Sequence, residues 1–280
     1  MPTADLLLAQ ASYYANIENN GAGRHRAIQN AIEASQNADE RLRALLMMSR
    51  VLIDSSSYAK ARTVLDECSS LATVTDTGLS LLPDILTSRG MSYFYGDHQT
   101  AERYFMKAIE VARESQPTPA VGKAAATAYH YLGRIKAAQQ HWNEALYFMV
   151  QERQSADSSR GSVAYYHLRL AEVLLGAGII SEARYHLVQS SRLFASVQQS
   201  STGQVQLDLV LARLELLNGN LTRAKDLLQN AIAAAREHSY PRGELQGLAE
   251  LLRLQIARSR LLSAAGTLGR GLIVFFRERS

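Results

Sequence analysis

The sequence is poor in the residues that staple, break or arm a fold. A single cysteine, Cys68, excludes an intrachain disulfide, leaves no Cys-x-x-Cys pair for zinc or redox work, and fits a reducing compartment. Of five prolines, three (Pro117, Pro119, Pro241) fall in segments that read as connectors, which is how a mostly helical chain uses proline. No apolar run approaches the ~20 residues that span a bilayer. The start, Met1-Pro2-Thr3-Ala4-Asp5, has neither the basic segment nor the apolar stretch of a secretory leader. The seven histidines form no His-Glu-x-x-His, and neither Gly-x-Ser-x-Gly nor a phosphate-binding Gly-x-x-x-x-Gly-Lys-Ser/Thr occurs. Charged residues are 20% of the chain and the net charge is +4, with Lys and Arg scattered rather than clustered. That spread argues against a nucleic-acid partner. These absences lead us to expect a cytoplasmic, non-enzymatic protein with no cofactor, no metal and no membrane contact.

What the chain does have is a recurring spacing. A small residue is followed twelve positions later by alanine at Ala15/Ala27, Ser49/Ala61, Gly133/Ala145, Ala171/Ala183 and Ala212/Ala224, and eleven positions later at Gly90/Ala101. Both members of each pair sit in apolar stretches of helical period. Small side chains let helices approach closely, so each pair reads as the contact point of a helical hairpin. Four residues after the second member stands Ala31, Leu65, Phe105, Met149, Leu187 or Leu228. Three further on is a mostly small slot: Ala34, Cys68, Ala108, Glu152, Ser190 and Ala231. In that slot Cys68 reads as buried packing rather than a nucleophile. Gly96, Gly178 and Gly219 stand at the turns, where a left-handed residue would end the first helix.

The alanines at 27, 61, 101, 145, 183 and 224 are 34 to 44 residues apart. Recurrence at that period marks a stacked array. The spacing predicts hairpins over 8–37, 42–75, 82–116, 126–156, 164–199 and 205–238, forming an array over 1–241. Residues 242–280 then form a helical cap, broken near Gly266–Gly271, over the last apolar face. The reading is an all-α solenoid.

At Tyr131-Leu132-Gly133…Trp142-Asn143-Glu144-Ala145, Leu170-Ala171…Gly178…Ala183 and Leu211-Ala212…Gly219-Asn220…Ala224…Leu228…Ala231, the chain resembles the tetratricopeptide repeat family. The likeness covers roughly residues 8 to 238. The period, mostly longer than that family's 34, is similar to the repeats of bacterial signal-sensing regulators and of some assembly subunits. The resemblance implies a right-handed superhelical solenoid whose first helices line a concave groove holding a peptide or partner helix. It places Asn16, Arg50, Arg134, Glu172 and Arg213 on that surface, with Glu250 if the register continues. It adds His130, Tyr165, Asn19, Asn20, Arg43, Asp54, Gln206 and Arg253. Tyrosine is enriched, thirteen against one tryptophan, and Tyr93 and Tyr165 are candidate groove rings, the alternative being core packing. Arginines at 50, 134 and 213 suit an acidic or C-terminal peptide segment, unless they pair with intrachain acids such as Glu172.

The expected role is therefore a protein-interaction adaptor or scaffold. One alternative is a peptide- or small-molecule-sensing regulator acting on a partner transcription factor, because a chain that starts inside its first repeat has no room for a helix-turn-helix. The other is a subunit of a large complex docking through Gly271–Phe276, with self-association through repeat ends or that tail. The clamp with which some tetratricopeptide domains hold chaperone tails is matched only at Asn16, its other places reading Ser12, Met47, Pro83 and Thr87.

Overall fold

The computed structural model describes residues 3–16, 21–75, 77–155, 160–196, 201–238, 240–257, 267–268 and 274, excluding the side chains of 15, 16, 21, 160, 161 and 201. Among the described residues the regular structure is entirely helical. The first two helix pairs are α1 (Ala4–Asn16) with α2 (Gly21–Ala34), and α3 (Ala38–Asp54) with α4 (Tyr58–Ala72). Next come α5 (Gly78–Tyr93) with α6 (His98–Glu114), then α7 (Pro119–Ala138) and α8 (Trp142–Ser155) in chain order. The last pairs are α9 (Arg160–Gly176) with α10 (Ile180–Ser196), and α11 (Ser201–Leu217) with α12 (Leu221–Glu237). Helix α13 (Pro241–Ala257) follows. Pro119 and Pro241 each open a helix, the one helical position where a missing N–H costs nothing. Helix α5 begins four residues before the expected hairpin and carries Pro83 in its interior, which removes one intrahelical hydrogen bond.

The chain forms two compact units, residues 1–135 with 154–156, and residues 136–153 with 157–280. In the first, each helix from α1 to α6 packs on the next, and the leading helices α1, α3 and α5 also lie side by side. In the second, α9 to α13 repeat the scheme, with α9, α11 and α13 as the adjacent leading helices. The division crosses α7 and α8. Helix α13 packs on α11 and α12.

The small-residue slots are where helices touch. Ser49, Ala61, Ala101, Ala145, Ala171, Ala183, Ala212 and Ala224 are completely buried. At Gly90 an added Cβ would lie 2.6 Å from a ring carbon of Phe105. The large second-helix residues Leu65, Phe105, Met149, Leu187 and Leu228 are buried too. Each contributes about 1.5–3 kcal/mol by leaving water. Glu152 breaks the pattern: a carboxylate occupies the small slot of α8, is buried, and pairs with Arg169 of α9.

Four leading helices end alike. Ser56, Gln140, Gly178 and Gly219 have φ of 59°, 61°, 78° and 79°. Each donates its N–H three residues back, and the next residue donates five back, as in Ser57 to Leu52 and Asn220 to Glu215. This is the Schellman closure of a helix end. Gly96 corrects the expectation, because its φ is not left-handed. The third pair is one residue shorter, and that residue is the left-handed step. Gly96 and Asp97 both donate to the Tyr93 carbonyl instead, and the Asp97 carboxylate caps α6 by accepting from the Thr100 N–H.

Of the expected docking strip at 271–276, Val274 is buried in the core formed with α11, α12 and α13; its neighbours and most of the 264–271 break lie outside the described residues. Among the described residues no helix is long and apolar enough to cross a membrane.

Candidate functional site

Leading helices that lie side by side bring together residues one repeat apart, and the polar contacts of the second unit follow that period. Arg213 of α11 donates from Nε and Nη2 to Glu250 Oε1 of α13 at 3.0 and 2.8 Å, and from Nη1 to Glu172 Oε1 of α9 at 2.9 Å. Glu250 Oε1 also accepts from Arg253 Nη1 at 3.1 Å. Burial alone would lower the Arg213 pKa, but the carboxylates of Glu172 and Glu250 outweigh it and hold the value above the ordinary one. Gln206 Nε2 donates to the Tyr240 hydroxyl at 2.9 Å, and the hydroxyls of Tyr165 and Thr202 lie 3.3 Å apart. The Tyr165 ring meets Phe194 edge-on at 5.0 Å and carries the Arg169 guanidinium 5.5 Å from its centre.

Both charge signs are therefore present on α9, α11 and α13, largely matched within the chain. The groups that reach furthest into solvent are Arg253, with 73% of its side chain exposed, and Glu172, with 41%. A ligand there meets a cation and a carboxylate on neighbouring helices, together with hydroxyl and amide groups.

The first unit arranges its candidates differently. Arg50 of α3 pairs with Asp84 of α5, again one period away. Tyr93 stacks on Tyr104 of α6 with centres 5.8 Å apart, and Arg62 of α4 lies 4.9 Å over its ring. Those contacts are to trailing helices. Arg134 is exposed and lies 4.7 Å from the Phe94 ring centre and 5.7 Å from that of Tyr131. His130 is half-buried beside Tyr131. Arg43 pairs with Asp5, and Asp54 with Arg24. Asn16 ends α1, but its side chain, like Asn19 and Asn20, lies outside the described residues.

Of the candidates, Arg213 contacts both Glu172 and Glu250, and Glu250 contacts Arg253. Asp84, Thr202 and Tyr240 were not anticipated as partners. Their signal was spacing, since each stands 34 to 37 residues from its partner. Nothing in the pattern announced the Glu152–Arg169 pair. Cys68 is buried, and burial pushes its thiol up to about 12, which suits packing and not nucleophilic attack. Among the described residues no three His, Cys, Asp or Glu side chains gather into a metal-sized cluster.

No family profile and no curated relative matches the chain. Solved structures do. A Rap protein complexed with competence and sporulation factor is 12% identical, with a TM-score of 0.74 over 99% of this chain and 75% of that one. NprR in complex with its cognate peptide NprX is 13% identical, with a TM-score of 0.65 over 98% and 79%. Aspartyl phosphate phosphatase F from Bacillus subtilis is 12% identical, with a TM-score of 0.56 over 99% and 76%. The fold is an all-α helical-repeat solenoid. At these identities the likeness is one of architecture.

Proposed function

We propose that the chain is a peptide-binding interaction protein, and that the leading-helix face of its second unit receives the peptide. The arrangement of Glu172, Arg213, Glu250 and Arg253 across three adjacent helices carries this reading. Tyr165 and Gln206 lie on the same helices. Fixed groups of both signs on rigid helices are what recognition of an extended segment needs, since the side chains are already ordered when the ligand arrives. NprR, a structure of the same architecture, holds its cognate peptide. Because Arg213 is matched by two carboxylates, the favoured ligand is not uniformly acidic. It offers a carboxylate to Arg253 and a cation or amide to Glu172. In the first unit, Arg50, Tyr93, His130 and Arg134 are secondary candidates for partner contact. The action is binding, in solution and without a cofactor.

The test is selection from a random short-peptide display library on the purified chain, followed by calorimetry. Enriched peptides should lose at least tenfold in affinity on Glu172→Ala or Gln206→Ala, and none on Arg223→Ala, an exposed residue of α12. A library yielding no peptide above background, or peptides indifferent to both face variants, would overturn the reading.

A further inference from the structure

The hairpin of α9 and α10 contains a contact that the binding face does not use. His167 and His186 face each other with Nδ1 atoms 2.8 Å apart. The ring centres are 5.0 Å apart and the planes 25° off parallel. Two imidazoles touching through ring nitrogens in nearly one plane give that separation, so the N–H of one points along the lone pair of the other. Such a bond needs one facing nitrogen protonated and the other bare. Two protonated rings would turn N–H against N–H and set two positive charges in contact.

The surroundings do little to relieve that repulsion. From α8, Arg153 faces His167 and adds a third positive charge. From α10, the Glu182 carboxylate reaches His186 and, among the described residues, favours its charged form. On α9 the neighbour is Tyr166, whose phenol burial holds neutral, with its ring centre 5.4 Å from that of His167. Tyr185 covers His186 from α10 at 5.2 Å. Toward α11, helix α9 turns Tyr165 and Glu172, which bond Thr202 and Arg213.

We propose that the His167–His186 contact is an acid-operated latch between α9 and α10, closed while one facing nitrogen is bare and opened when both are protonated. Burial first, then the neighbouring His186 and Arg153, hold His167 below its ordinary 6.5, and burial holds His186 below it as well. As pH falls the unfolded or opened hairpin therefore takes up protons before the closed one does. The stabilisation is complete above the ordinary histidine value of about 6.5 and drains away as acidification proceeds through the depressed values. Across that window the opening constant rises about tenfold for each unit of depression. Helix α9 also bears Tyr165 and Glu172, so opening would disturb the proposed peptide face, but the latch itself does not depend on that reading.

Hydrogen exchange of the full chain, measured at about pH 7.5 and about pH 5 and corrected for intrinsic chemistry, tests this. Amides of α9 and α10 should open several-fold more at the acid value, and α12 should not. His186→Gln keeps a polar partner but removes the second imidazole, and should shrink the difference to what burial and Arg153 impose on His167 alone; His141→Gln, at an exposed histidine, should leave it unchanged. If His186→Gln loosens the hairpin at both pH values, the ratio of the two opening constants still decides. A wild-type ratio near one, or a ratio that His186→Gln leaves undiminished, would overturn the proposal.

Discussion

Arg213 donates two hydrogen bonds to Glu250 and one to Glu172, so one guanidinium joins three successive leading helices. Removing it would leave Glu250, a buried carboxylate, with Arg253 as its remaining cation among the described residues. Arg213→Ala should destabilise the chain by about 2 kcal/mol in urea unfolding, below the usual range for breaking a buried pair because one cation remains and Arg213 is partly exposed. A double-mutant cycle with Glu250→Gln should show strong coupling. Independent, additive losses would mean the pair is ornamental.

The helix ends separate two glycine roles. Gly178→Ala and Gly219→Ala put a side chain at φ near +78° and should each cost about 1 kcal/mol. Gly96 has an ordinary φ and open space around its added Cβ, so Gly96→Ala should stabilise by about 0.5 kcal/mol through the unfolded state. Ser56→Gly and Gln140→Gly should stabilise by up to about 1 kcal/mol, since both native residues hold left-handed φ. Thermal melts of the five variants report the signs directly.

Gly90 is held by space. Gly90→Ala drives a methyl group into the ring of fully buried Phe105 and should cost about 1–3 kcal/mol. Phe105→Leu in the same chain should recover part of that loss. A Gly90→Ala variant melting at the wild-type temperature would show that α5 and α6 do not approach so closely in solution.

Cys68 should resist thiol reagents at about pH 8 in the native protein and react only on unfolding. Its thiol pKa is raised by burial to about 12, and a raised acid favours its neutral form in the fold. That contribution is present below the unfolded value, 9.0 for a free thiol, and is lost as pH rises through the folded one. Native-state labelling at the rate of a free peptide would contradict the burial.

How much was legible beforehand differs from residue to residue. Ala171 with Ala183 and Ala212 with Ala224 announced close helix contacts because only a small side chain permits them, and all four are completely buried. Gly96 misled because glycine permits a left-handed turn without requiring one, and the missing residue in its pair had removed the step. Tyr93 was read for its residue type, and which rings and cations it meets, Tyr104 and Arg62, followed from the packing of α5 on its neighbours.

Periodicity by itself determined the helices, their pairing and the slots where they meet, because those depend on which residues recur along one local helical face. The partners of charged side chains were decided only by the tertiary structure. Whether Arg213 meets Glu172, Glu250 or solvent depends on how neighbouring repeats are offset, and the Nδ1 contact of His167 with His186 depends on the packing of two helices to a fraction of an ångström. Packing sets those distances, and charge interactions change steeply with them, so the same residues can make a tether, a latch or a solvated pair.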